Sequence, residues 1–110
     1  IHGRADDIFY LKGVHNEIRY LFPDYVQRSI IHASDAILEY QAIQYSPELI
    51  EIRLVLTENA DRAVVEKAVR ENLLMWAKKA GGELGEIRFT TALPERNPIS
   101  HKLIRVIRRF

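Results

Sequence analysis

The histidines at positions 2, 15, 32 and 101 are the first candidates for metal or acid–base chemistry. A zinc site needs ligands at short paired spacings such as H-E-x-x-H, and these four are scattered, so no metal site is expected. Ser29 and His32 share a helix face, but no acid and no oxyanion donor accompanies them, and no nucleophile is expected there. Gly81-Gly82-x-x-Gly85 has the composition of a phosphate loop. It follows a helix instead of joining a strand to one, and a helix cap and turn account for it. The remaining group is the tail His101-Lys102-Leu103-Ile104-Arg105-Val106-Ile107-Arg108-Arg109, with four cationic side chains in the eight residues from Lys102 to Arg109. That density suits phosphate contacts. An edge strand guarded by charge explains the same residues, and on composition alone it is the better account.

The elements that must position these groups follow from patterning. Ile8-Phe9-Tyr10-Leu11, closed by Gly13, reads as a short strand or hairpin arm. Pro23 and Asp24 start a helix on which Val26, Ile30 and Ala33 form one face. Ala36 to Tyr45 and Ile50 to Leu56 flank a turn at Ser46-Pro47 and form an antiparallel hairpin. In its second arm Ile50, Ile52, Leu54 and Leu56 alternate with Glu51, Arg53 and Val55, as in a strand with one buried face. Asn59 is placed to cap the next helix, with Asp61 in its first turn. Val65, Val69, Leu73 and Trp76 make its apolar stripe, so Trp76 is expected to be largely buried. Lys78 and Lys79 close this helix, and Gly81-Gly82 stops it. Glu86 to Thr91 is a strand, Leu93 to Pro98 a loop, and Leu103 to Ile107 a closing strand. The order strand, helix, strand, strand, helix, strand, strand describes an α+β fold, a small mainly antiparallel sheet with two to three helices packed on it.

Composition bounds the rest. A chain of 110 residues with 47% hydrophobic content suits a single domain, 1–110, with one core. A net charge of +1 argues against a dedicated nucleic-acid binder. No apolar run approaches the roughly 20 residues that cross a bilayer, so no membrane partner is expected. The absence of cysteine fits a cytoplasmic location. With no initiator Met and no signal peptide at Ile1-His2-Gly3, the sequence reads as a piece of a longer chain.

The two ends, taken together, resemble a known family. Gly3-Arg4-Ala5-Asp6-Asp7-Ile8-Phe9-Tyr10-Leu11-Lys12-Gly13 resembles the hinge motif of adenylate-forming enzymes, G-R-x-D-D-x-(apolar)-x-x-(K/R)-G. Leu93-Pro94, then Ser100-His101-Lys102, then Arg105-Val106 is similar to the closing lysine motif of that superfamily. Glu39-Tyr40-Gln41-Ala42-Ile43-Gln44 looks like the tyrosine–glutamine strand of its phenylacetate–coenzyme A ligase branch, which also holds synthetases acting on a deazaflavin coenzyme. Three departures stand out. The family lysine normally follows Gly, whereas His101 precedes Lys102. Pro23 is followed by Asp24-Tyr25-Val26-Gln27 and not by x-E-(apolar)-E. The segment from Val14 to Phe22 is longer than usual.

The resemblance implies a C-terminal lid domain whose large N-terminal ATP- and acyl-binding domain is its partner. It implies an ATP-dependent ligase, using ATP with Mg2+, that activates a small carboxylic acid as acyl-AMP and then passes it to coenzyme A or another acceptor. Lys102 would be the catalytic lysine, Arg4 would bind nucleotide oxygens, and Asp6 would be the hinge. No G-x-x-x-x-G-K-[ST] loop occurs, so the isolated chain is expected to be inactive. Two other classes compete with this reading. One is a stand-alone binding or regulatory module with a ferredoxin-like sheet. The other, disfavoured by the balanced charge, is a nucleic-acid module using Arg4, Lys102, Arg105 and Arg109.

Overall fold

Two runs of apolar residues dictate the centre of the molecule, the strands that alternate around Ile50, Ile52 and Leu54 and the helix that repeats at Val65, Val69 and Leu73. In the computed structural model, which describes residues 7–110, the elements are β1 (Phe9–Gly13), β2 (Ile18–Leu21), α1 (Pro23–Ile31), β3 (Ile37–Ser46), β4 (Leu49–Leu56), α2 (Arg62–Lys79), β5 (Gly82–Glu83), β6 (Glu86–Thr90) and β7 (Val106–Arg108). They form two sheets, one of order β2-β1-β5 and one of order β6-β4-β3-β7. The fold is α+β, with both helices packed on these sheets. β1 pairs antiparallel with β2 and with β5, and β3 pairs antiparallel with β4. β6 runs parallel to β4 because α2 supplies the crossover, and β7 runs parallel to β3. The larger sheet is therefore mixed.

The core lies between that sheet and the helices. Val26 and Ile30 of α1 and Val65, Val69, Leu73 and Ala77 of α2 pack against Tyr40, Ala42, Ile50, Ile52 and Leu54. Phe9, Leu11 and Leu21 bring the small sheet into the same cluster. The stripe of α2 repeats every four residues and ends on Ala77, while Trp76 lies half-buried on the flank. There its ring meets Tyr25, with centroids 4.8 Å apart, and Lys79 lies over it. Trp76 is thus mostly covered and packs against the core from its flank, but it is not one of the fully buried positions. A step of four residues turns 400°, which keeps position 77, and not 76, over the sheet.

The caps differ in one respect from the sequence reading. Asp61, not Asn59, is the N-cap of α2, its carboxylate accepting from the Val64 N–H at 3.4 Å. At the other end Gly81 takes φ of +88°, a conformation that costs glycine nothing. Gly85 lies so close to the Glu48 backbone that a Cβ would come within 2.3 Å of it. At Gly82 a Cβ would come within 2.7 Å of the Leu11 side chain, so the conformation of Gly81 and the close packing at Gly82 and Gly85 account for all three glycines of the segment. The β1–β2 hairpin turns through Asn16 at φ 64°, and the Gly13 N–H donates to the Glu17 carbonyl at 2.8 Å.

Candidate functional site

β3 is the element to which both motif regions are fastened. Its Gln44 is fully buried, and its side-chain amide completes a pair of bonds with the backbone of Tyr10. Oε1 accepts the Tyr10 N–H at 2.8 Å, and Nε2 donates to the Tyr10 carbonyl at 2.8 Å. Gln41, also fully buried, accepts the Glu95 N–H on Oε1 at 3.0 Å. One strand thus grips β1 with one glutamine and the start of the lysine segment with the other.

The chain from Glu95 to Ile104 is a short hairpin. Arg96 and Leu103 form an antiparallel bridge, and the Ile104 N–H donates to the Glu95 carbonyl at 2.9 Å. Lys102 emerges exposed from its returning arm, while Ile99 stands at the tip, 89% exposed. His101, also exposed, adopts φ of 62°, the left-handed region in which most side chains are strained. Between this hairpin and α1 runs an open groove of about 620 Å3, lined by Asp7, Gln27, Tyr40, Ser100, Lys102 and Arg105 among others. Tyr40 forms part of this lining, donating to Gln27 Oε1 at 3.4 Å with the Arg105 guanidinium 5.9 Å from its ring centroid. Burial raises the Tyr40 hydroxyl pKa, opposed in part by Arg105, so the phenol stays protonated at neutral pH.

The opposite face of the larger sheet carries a polar network that sequence reasoning did not find. Glu51 accepts from Tyr45 Oη at 2.6 Å, Thr90 Oγ1 at 2.6 Å and Arg53 Nε at 2.8 Å. Burial alone would push the Glu51 carboxyl up, but the bonds from Arg53, Thr90 and Tyr45 hold it at about 2. Arg53 Nη1 also reaches the Leu93 carbonyl at 3.1 Å and Glu95 at 3.4 Å, and Glu95 is paired with Arg109. That pairing, through the Arg109 hydrogen bond first, lowers the Glu95 pKa. Glu51 and Arg53 were expected on a wet face. The segment after β6 crosses that face, so the central strands are covered on both sides. Every acid in this network is matched by a base, which makes it a brace for the lysine hairpin.

The remaining candidates divide plainly. Ser29 is fully buried and donates its hydroxyl to the Tyr25 carbonyl at 2.7 Å, while His32 is exposed, so the two form no nucleophile pair. Among the described residues no group of three His, Asp or Glu side chains converges as a metal site requires. No described helix is long and apolar enough to cross a membrane. His2, Arg4 and the hinge candidate Asp6 lie outside the described residues. The arrangement presents Lys102 on a braced hairpin beside an open groove. No protein-family model matches the chain, and no curated protein matches it either.

Proposed function

We propose that this chain is the mobile C-terminal domain of an ATP-dependent adenylate-forming ligase, with Lys102 as the residue it contributes to catalysis. The observation that carries the reading is the conformation at His101. The family motif has glycine before its lysine, and here residue 101 takes φ of 62°, the left-handed geometry that glycine adopts freely. A different side chain occupies the position, yet the backbone keeps a conformation open to glycine, which supports the reading. The attachment of the hinge-side strand and the lysine hairpin to a single strand by Gln44 and Gln41 further supports it.

The chemistry is that of acyl-AMP formation. A carboxylate displaces pyrophosphate from the α-phosphate of ATP, and negative charge grows on the reacting phosphate. A compact ammonium on a long stem placed there stabilises that charge. The nucleotide with its Mg2+ and the acid would be held by the large N-terminal domain of the same polypeptide, with Arg4 of this chain on nucleotide oxygens. Rotation at Asp6 would then bring up the face used for transfer to coenzyme A or another acceptor.

The test uses the full-length enzyme. Lys102→Ala is expected to slow adenylate formation by about 10²–10³-fold, the usual effect of losing one such stabiliser, while transfer from preformed adenylate is nearly spared. Single-turnover assays separate the two steps. Arg105→Ala, in the same groove, is the discriminating variant. A loss equal to that of Lys102→Ala would show a diffuse basic patch and would overturn the role assigned to Lys102.

A further inference from the structure

Asn97 makes a hydrogen bond to each of the four residues from Ile99 to Lys102. Its side-chain Oδ1 accepts the N–H of Ile99 at 2.9 Å and the N–H of Ser100 at 3.0 Å. Its backbone carbonyl accepts the His101 N–H at 2.8 Å, and its own N–H donates to the Lys102 carbonyl at 2.8 Å. The loop is thereby wrapped around one residue, two of the four bonds made by its side chain and two by its backbone. Pro98, with its fixed φ and no N–H, leaves the amides of Ile99 and Ser100 as the ones that need an acceptor. Ser100 Oγ adds a bond from the Lys102 N–H at 3.4 Å.

The wrapped loop is anchored from outside by its neighbour. Arg96 Nη1 donates to the His101 carbonyl at 3.1 Å, and Nη2 reaches Glu39 Oε2 on β3 at 3.1 Å. Both peptide groups flanking His101 are therefore held, its N–H by Asn97 and its carbonyl by Arg96. A residue that would otherwise leave the left-handed region is kept there by bonds on either side.

We propose that Asn97 is the positioning residue for Lys102. It sets the backbone direction from which the ammonium projects, without touching the reacting atoms. The proposal rests on the adenylate-forming reading of Lys102. An Asx acceptor at this place does for the loop what a glycine before the lysine cannot do, since glycine permits the turn while Asn97 selects it. Losing the acceptor frees the N–H groups of Ile99 and Ser100 and loosens the turn that leads into His101, whose own two bonds go to the Asn97 backbone and to Arg96. A lysine misplaced by about an ångström then costs up to 10²-fold in rate.

Asn97→Ala and Asn97→Asp, compared with Lys102→Ala, provide the test. In the isolated chain, Asn97→Ala is expected to speed amide exchange of Ile99 and Ser100 by about tenfold or more while the core strands keep their protection. In the full-length enzyme it is expected to lower kcat for adenylate formation by about 10–100-fold with the KM for the acid unchanged. Asn97→Asp keeps an oxygen acceptor for both amides, so it should restore most of the rate and the slow exchange. A full rate in Asn97→Ala beside a large loss in Lys102→Ala would overturn the positioning role and leave the function standing. A full rate in Lys102→Ala would overturn the function itself, and the role of Asn97 with it. Failure of Asn97→Asp to rescue would show that Oδ1 is not the atom responsible.

Discussion

His101 sits at φ 62° with its N–H and its carbonyl both bonded, so the side chain at this position meets a backbone it did not choose. Histidine tolerates the left-handed region better than branched residues do, and glycine tolerates it best. His101→Val is therefore expected to lower stability by about 1–2 kcal/mol, the cost of forcing a β-branched residue into that region. His101→Gly is expected to leave stability within about 0.5 kcal/mol of the original, because relief of strain offsets the added freedom of the unfolded chain. Urea unfolding of the three chains checks this. Equal stability of the Val and Gly variants would show that the loop relaxes without cost. The sequence already contained the clue, since Asn97-Pro98 is a turn-initiating pair and Lys102 follows four residues later. What it lacked was any sign that the turn closes back on Arg96 and Leu103. The segment from Leu93 to Pro98 therefore read as an open loop, because the cross-strand bond that defines the hairpin is made to residues far from any period-two pattern.

Among the elements, α2 and the β3–β4 hairpin were legible because each repeats its apolar residues with the period of its own geometry. β2 was not, since Leu21 alone of its four residues is buried and the strand exists by pairing with β1. β5 has two residues and likewise owes its existence to β1. The polar face of β4 was misread for a related reason. Glu51 and Arg53 alternate with isoleucines just as solvent-facing residues do, and only the chain that crosses over them makes them half-inside. That burial has a measurable consequence. The Glu51 carboxyl ordinarily titrates near 4.5 and is held at about 2 in the fold. A depressed pKa means stability that is present above 4.5 and is lost as pH falls through about 2. Glu51→Gln is expected to cost about 2–3 kcal/mol at pH 7, since a charged acceptor with three partners is replaced by a neutral amide. The gap between the two chains should then narrow as pH falls below the ordinary carboxylate range. Denaturant melts at several pH values report it. A gap that stays constant down to the acid limit would show that the ionised carboxylate is not what the network depends on.

At the scale of the whole molecule the question is how a domain built on two sheets behaves as one body. Apolar contact supplies part of the answer, because Phe9, Leu11 and Leu21 enter the common core. The directional part is polar and local. Gln44 bonds both the N–H and the carbonyl of Tyr10, and Arg108 donates from Nε to the Ile8 carbonyl at 3.0 Å with its guanidinium 4.4 Å from the Tyr10 ring centroid. The side-chain amide of Gln44 stands in for a strand neighbour that Tyr10 does not have on that side. Replacing it with leucine conserves approximate volume but leaves two backbone groups without partners in a half-buried place. Gln44→Leu is accordingly expected to destabilise by about 2–4 kcal/mol, the sum of two unmade bonds at roughly 1–2 kcal/mol each. The distribution of the loss is more informative than its size. β1 and β2 should lose amide protection first, while β3, β4 and α2 keep theirs until global unfolding, so that one cooperative unit becomes two. Native-state hydrogen exchange resolves this strand by strand. If all strands lose protection together in Gln44→Leu, the apolar core alone holds the sheets as one body. In that case the glutamine contributes stability without deciding how many units unfold.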